Sequence, residues 1–340
     1  MKIIGKSNDV GLARDLVLLA GAFRSCGYQV SVVAIDANQT RRRRSLWWRL
    51  RVRAALVMRR LRADERVPNE INVMLEHVWS EYLPAARRSI LIPNPEWFDA
   101  HDRSFLRDVD VIWAKTAVGR RIFDGLGCNT VHIGFDSEDR YDPAVPRQRF
   151  FLHLAGKSSM KGTQRLLRIW EQHPHWPKLL VLQHNRSDAD GLRTAANVEL
   201  RLGYVDDGEL KALQNAALFH VCPSTTEGWG HYIVEAMSVG AVTITVDAEP
   251  MNELINAERG LLVPYSRTGR QRLATTYLFD EAAFAATIET ILGRDDAYWQ
   301  ECRANARRWF LRNKQGFPEH LRIAVEECST SYVAASAAAV

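Results

Sequence analysis

LFHVCPSTTEGWGHYIVEAMSVGAVTITVD, Leu218 to Asp247, is the stretch that decides the fold. An apolar run ends at Cys222-Pro223-Ser224, a glycine-containing loop carries Glu227, and a segment with helical spacing opens near His231 and carries Glu235. A β-rich run, AVTITVD, follows. Strand, loop, helix and strand in this order make the unit from which parallel sheets are built. The two glutamates are not a same-face helical pair, because one is on the loop and the other is in the first turns of the helix. A helix start offers unpaired N–H groups and a positive dipole end, which favour a phosphate. Gly228 and Gly230 let a ligand approach the backbone closely. One carboxylate facing a sugar hydroxyl and another facing a ribose would suit a nucleotide sugar.

Outward from this stretch the rhythm repeats. Toward the N-terminus, KIIG, YQVSVVAID, INVMLEHV, SILIPNP and DVDVIWAKT read as strands, with helices such as LARDLVLLAGAFRSCG between or after them. The proline- and charge-rich DPAVPRQR reads as a linker near 143–149, and the rhythm restarts at FFLHLAG. The expected fold is therefore α/β, with two Rossmann-like doubly wound domains facing a central cleft where the strands end. The expected domains are 1–146, with a basic helix over 41–62, then 147–312, and a 313–340 helix and tail packing back on the first domain. Within that tail, STSYVAASAAAV reads as a weakly structured end.

Composition narrows the class. Apolar residues make up 46% and charged residues 25%, as in a soluble globular protein. The five cysteines form no CxxC or Cys/His cluster, no apolar leader run follows the first methionine, and no run of eighteen apolar residues occurs. These features are read as a cytoplasmic protein. The charge of +5 is local: without the ten arginines between Arg41 and Arg62, 35 basic residues face 40 acidic ones, a balance of −5. A spread basic face for nucleic acid is not expected.

The stretch E-G-W-G-H-Y-I-V-E resembles the E-x7-E motif of retaining GT-B glycosyltransferases of the family 4 type. LHLAGKSSMKGTQRLL is similar to the Lys-Gly phosphate loop of that family, and LGYVDDGELKALQNAALFHVCPS and GLLVP to later landmarks. The resemblance covers about 150–265 closely and the first half only in rhythm. It implies transfer of a sugar from a nucleotide-sugar donor with retention of configuration. Glu235 would hold the ribose hydroxyls, Glu227 the donor sugar, and the backbone of Gly228, Trp229 and Gly230 would lie beside sugar and phosphate. Lys161 would meet the diphosphate. Val205 would meet the base. Where the family usually has an arginine five residues before the lysine, this chain has Lys157 four before, without the arginine fork. His77 aligns with a first-domain histidine near the transferred sugar. Two D-x-D triplets, Asp108-Val109-Asp110 and Asp188-Ala189-Asp190, are of a kind that binds metal elsewhere. No metal or other cofactor is expected, since lysines and a helix dipole can neutralise a diphosphate.

The basic segment TRRRRSLWWRLRVRAALVMRRLR reads as an amphipathic helix. At ~100° per residue, Leu46, Trp47, Leu50, Ala54, Val57, Met58 and Leu61 share one arc, flanked by Arg51, Arg53, Arg60 and Arg62; Trp48, Val52, Ala55 and Leu56 interrupt the opposite face. Such a stripe suits an anionic membrane surface, with Arg41, Arg42, Arg43, Arg44, Trp47, Arg51 and Arg53 making the contact. The bland reading packs the stripe on the first domain and solvates the arginines. The membrane reading implies a glycan or lipid-linked acceptor and a peripheral location at the inner face of the cell membrane. Two alternatives stand beside it. One is transfer to a soluble acceptor with the helix as a protein-partner site, and the other is nucleic-acid binding on a degenerate scaffold.

Overall fold

The computed structural model of the chain describes residues 1–6, 12–35, 46–61, 69–184 and 195–337. The chain divides into two compact units, Met1–Asp136 with Lys314 onward, and Ser137–Asn313. Each is built on a six-stranded parallel sheet, so the expected α/β class with two doubly wound sheets holds.

In the first unit the strands are β1 (Lys2–Lys6), β2 (Ser31–Ile35), β3 (Asn69–Glu76), β4 (Ala86–Pro93), β5 (Val111–Ala114) and β6 (Thr130–His132). Their order is β2-β1-β3-β4-β5-β6, every neighbour pair parallel. Ile90, Leu91, Ile92 and Trp113 are buried without interruption along their strands, as a parallel sheet covered on both faces requires. The order reverses direction between β1 and β3, so the chain leaving β3 at Glu76-His77 lies at the crevice such a sheet offers to ligands. Helices α1 (Leu12–Ser25), α2 (Leu46–Leu61), α3 (Ala100–Phe105) and α4 (Ala117–Asp124) complete the part before Asp136.

Helix α2 covers 46–61 of the expected 41–62; Arg41 to Arg44 and Arg62 lie outside the described residues. Its packing corrects the bland reading. Val52 and Leu56, the residues that interrupt the arginine face, are the buried ones, and the helix packs against the turn Ser80–Ala85. The apolar stripe points the other way: Trp47 is 84% exposed, and Leu50, Val57 and Met58 are exposed with it.

In the second unit the strands are β7 (Gln148–Gly156), β8 (Leu179–Gln183), β9 (Val198–Leu202), β10 (Ala217–Cys222), β11 (Val242–Val246) and β12 (Leu261–Val263). They run in the order β12-β11-β10-β7-β8-β9, again all parallel. Here the reversal falls between β7 and β10. The helices are α5 (Thr163–Gln172), α6 (Asp207–Ala216), α7 (His231–Ser238), α8 (Met251–Leu254) and α9 (Glu281–Leu292). Phe151 stacks on Phe219 at 4.9 Å and meets Trp170 edge-on at 5.1 Å, forming an aromatic core under the sheet. A hairpin of β13 (Tyr265–Gln271) and β14 (Ala274–Phe279) stands apart from the six strands. The last helix, α10 (Gln300–Ala337), continues through most of the segment expected to be weakly structured. Among the described residues no helix is long and apolar enough to cross a membrane.

A buried ion pair lies in the first unit. Lys115 Nζ sits 2.8 Å from Asp15 Oδ2 and 4.4 Å from the Phe135 ring, and both charged side chains are almost fully enclosed. Removing one partner strands the other charge away from water, whereas removing both leaves a mostly apolar contact. Lys115→Met should therefore cost ~3 to 5 kcal/mol in chemical denaturation, and Asp15→Leu combined with Lys115→Met should recover most of that loss.

Candidate functional site

The site in the second unit is built at the reversal of its strand order, where the chains leaving β7 and β10 lie side by side. After β7 the chain turns through Ser158, whose hydroxyl accepts from the Met160 N–H, and reaches Lys161 and Gly162. Gly162 has φ +71°, and a Cβ there would lie 2.5 Å from the Pro223 carbonyl oxygen. Only glycine allows the Lys161 turn to close on the end of β10. Two further links hold the loops together: the Thr225 N–H donates to the Met160 carbonyl at 2.9 Å, and the Thr225 hydroxyl donates to the same oxygen. Beneath them, buried His153 on β7 spans to β10. Its Nδ1 donates to the Val221 carbonyl and its Nε2 accepts from the Thr163 hydroxyl, both at 2.8 Å. Burial brings its pKa down to about 4, so the ring stays neutral and serves as a strut.

These supports bring Lys161 to Glu227. Lys161 Nζ and Glu227 Oε1 are 2.5 Å apart, and the ammonium lies 3.6 Å from the centre of the Tyr232 ring. The Ser224 hydroxyl donates to the same Glu227 oxygen and shares a hydrogen bond with the Tyr232 hydroxyl, whose oxygen also accepts from the Ser224 N–H. Burial raises the Tyr232 phenol well above its ordinary range and also pushes the Cys222 thiol up, so both remain neutral.

Gly230, at φ +92°, caps α7 without a side chain. The positive end of the helix is thus left for an anion rather than for a capping hydroxyl. Trp229 is buried, and its Nε1 donates to the Ser137 hydroxyl oxygen, which also lies 2.8 Å from His231 Nδ1. Gly228 is buried beside it. One turn into α7, Glu235 is nearly enclosed. Its Oε2 accepts from Gln214 Nε2 at 3.0 Å, and the Gln214 side-chain oxygen Oε1 accepts from Arg140 Nε at 2.9 Å. Arg140 is itself buried and pairs with Asp207 at 2.8 Å.

Lys157 is exposed on the turn after β7 and has no hydrogen bond or ion pair among the described residues, so it does not join Lys161 and Glu227. Val205, beyond β9, is half-buried against a cluster of Leu152, Leu180, Leu182 and Ala217. In the first unit, His77 Nδ1 lies 2.8 Å from Asp102 Oδ2, and Nε2 lies 3.6 Å from Glu76 Oε2. Burial opposes charging the ring, but the hydrogen bond and charge of Asp102, with Glu76 and Asp99 behind it, outweigh burial and raise the His77 pKa. Glu76 stands at φ +64°, an unusual conformation for a side-chain-bearing residue, and burial raises its carboxyl.

Asp110 accepts from the Ser89 N–H and Arg88, and the Asp188 triplet lies outside the described residues. Sequence reasoning missed Ser224, Tyr232, Gln214, Arg140 and Asp102. The first two stand in the motif itself and could have been taken from it. Asp102 had a signal too, the Asp99-x-x-Asp102 capping box that opens α3. The Arg140–Gln214–Glu235 chain had none, because its members are 74 and 21 residues apart.

Residues 146–309 match the family model described as glycosyl transferases group 1. Over 142 residues the chain is 28% identical to the serotype-specific mannosyltransferase WbdA of Escherichia coli. That match covers 42% of this chain and 15% of the relative's length. Among solved structures, Anabaena HepE in complex with UDP and glucose superposes with TM-score 0.67 at 13% identity, covering 96% of this chain and all of HepE. A sucrose-phosphate synthase from Thermosynechococcus elongatus gives TM-score 0.65 at 16% identity, covering 98% and 99%. The two-sheet α/β architecture is the GT-B fold these solved structures share, and the stretch 146–309 is similar to group 1 glycosyl transferases.

Proposed function

We propose that the chain is a retaining glycosyltransferase, moving a sugar from a nucleotide-sugar donor to a lipid-linked or membrane-proximal glycan without a metal. The observation that carries this reading is the Lys161–Glu227 contact beside the uncapped start of α7, with Glu235 held by Gln214 one turn further on. A cation and a helix end together meet a diphosphate, and a lysine at the leaving phosphate stabilises the charge that grows as the glycosidic bond breaks. In the free protein Glu227 keeps Lys161 in place; a bound diphosphate takes over the ammonium and leaves the carboxylate for the sugar hydroxyls. Glu235, fixed by a buried amide, suits a ribose diol.

Retention follows when the acceptor hydroxyl attacks from the leaving-group side and gives its proton to the departing phosphate. Cys222, the thiol nearest this cluster in sequence, is held neutral and serves as no nucleophile. With Nδ1 held by Asp102 at 2.8 Å and Nε2 at the longer 3.6 Å from Glu76, His77 would meet a substrate hydroxyl through Nε2 in exchange for the weaker contact. HepE was solved with UDP and glucose, and WbdA is a mannosyltransferase, which favours a nucleoside-diphosphate hexose as donor.

Helix α2 supports the membrane-proximal acceptor. It is held to its unit by Val52 and Leu56 and turns Trp47, Leu50, Val57 and Met58 outward between Arg51 and Arg53. Apolar side chains that a membrane would take up, set among arginines that its anionic lipids attract, are what interfacial attachment requires.

Two outcomes are expected. Glu227→Gln should lower turnover at least roughly a hundredfold with donor affinity little changed, while Glu235→Ala should mainly raise the donor KM, both read from product formation against donor concentration. Wild-type kinetics in both variants would refute the site. Second, the protein should pellet with phosphatidylglycerol vesicles but not with phosphatidylcholine vesicles. At ~1 kcal/mol per basic residue, changing Arg41–Arg44 to serine should weaken that binding by about two orders of magnitude or more. Equal binding to both vesicles, or to neither, would refute the membrane reading.

A further inference from the structure

The β13–β14 hairpin is mounted directly on the loops of the proposed donor site. Its strands pair antiparallel, Thr268 opposite Tyr277 and Arg270 opposite Thr275, and close over Arg272, which has φ +53°. A lone two-stranded hairpin is barely stable in water, so its position depends on how its base is held. The Tyr277 N–H donates to the Thr225 carbonyl at 2.7 Å, and the Asp280 N–H donates to the Pro264 carbonyl at 2.7 Å. Arg165 on α5 donates to the Phe279 carbonyl at 2.9 Å, lies over the Phe279 ring, and pairs with Glu281 at 3.3 Å. Thr225 is two residues from Glu227 and is bonded to Met160, the neighbour of Lys161. Hairpin, Glu227 loop and Lys161 turn are therefore joined through backbone hydrogen bonds.

The first strand of the hairpin and its turn carry charge rather than core. From Tyr265 to Phe279 it holds Arg267, Arg270 and Arg272 and no acidic residue. β13 is exposed along nearly its whole length. Arg270 Nε donates to the Arg272 carbonyl, and none of the three arginines pairs with a carboxylate among the described residues. Tyr265 and Tyr277 meet edge-on at 4.9 Å beside them. Only the two ends of β14, Ala274 and Phe279, enter the core of the unit, while the three guanidinium groups stay unneutralised on the rest of the arm. Its chemistry fits a ligand that brings negative charge, and the arginine fork fits phosphate oxygens.

We propose that this hairpin is a phosphate-binding subsite for the acceptor, distinct from the donor diphosphate position at Lys161. The proposal rests on the glycosyltransferase reading above. A prenyl diphosphate carrier and a phosphorylated glycan would present the same group, and the test separates them. Geranyl diphosphate and mannose 6-phosphate, with geraniol and mannose as uncharged controls, are titrated calorimetrically into three proteins. These are the wild type, Lys161→Ala, and the triple variant Arg267→Ser, Arg270→Ser, Arg272→Ser; a triple arginine-to-lysine variant tests the need for the fork. At least one phosphate probe should bind Lys161→Ala about as it binds the wild type. It should bind the triple serine variant roughly tenfold or more weakly and the lysine variant in between, with no binding of the controls. Binding of geranyl diphosphate alone assigns a lipid carrier, and of mannose 6-phosphate alone a phosphorylated glycan. Undiminished binding in the triple serine variant, or its loss in Lys161→Ala, would overturn the subsite. Donor-induced thermal stabilisation of the triple serine variant reports separately on its folding and on the underlying glycosyltransferase reading.

Discussion

Gly162 can have no side chain, because the Pro223 carbonyl oxygen already occupies the space a Cβ would need. That contact fixes the distance between the turn after β7 and the loop after β10, and most of the second unit's chemistry depends on it. With the loops pressed together, Thr225 reaches Met160, Lys161 reaches Glu227, and Ser224 completes the contact with Tyr232. The strand order brings the loops near each other, and the glycine sets the final ångström. A single hydrogen bond is worth only about 1 kcal/mol net. The ion pair is therefore positioned by this backbone fit and by the neutral His153 strut below it more than by its own attraction.

A second layer serves Glu235. Arg140, Gln214 and Glu235 form a buried chain in which each polar group is satisfied by the next, the condition under which such networks rigidify a site. Trp229 and His231 are tied in turn to Ser137. The loop of the glutamate motif is thus fixed from both sides before any ligand arrives, in keeping with the need for preorganised charge at a reacting bond.

Much of the architecture was legible in the sequence. Runs such as LLVLQ and VTITV are buried at every residue, and LLVL, 179–182, is the unbroken apolar kind that marks a parallel strand, while Thr243 and Thr245 break the second run with small β-branched residues. The glutamate motif, the Lys-Gly turn and the helix behind them are local, and their spacing survives intact into the fold. What stayed hidden was non-local or lacked a period. Strand β13 is exposed along nearly its whole length, so it shows no alternation of apolar and polar residues. The turn after it places Arg272 at positive φ without the Asn-Gly pair that usually announces a hairpin. In α2 the eye follows the seven-residue stripe, yet two residues on the opposite side, Val52 and Leu56, do the packing. His77 was named without its partner Asp102, because 25 residues separate them.

The central claim is that the Lys161–Glu227 cluster receives the diphosphate of a nucleotide sugar, and a thermal-shift comparison tests it most directly. Purified protein is melted with saturating UDP-, GDP- and ADP-hexoses, alongside the Lys161→Ala variant. A ligand that binds only the folded state raises the melting temperature in proportion to its occupancy. At least one donor should stabilise the wild type by several degrees and the variant far less. A flat response of the well-folded wild type to all three donors, or equal stabilisation of both proteins, would contradict the account.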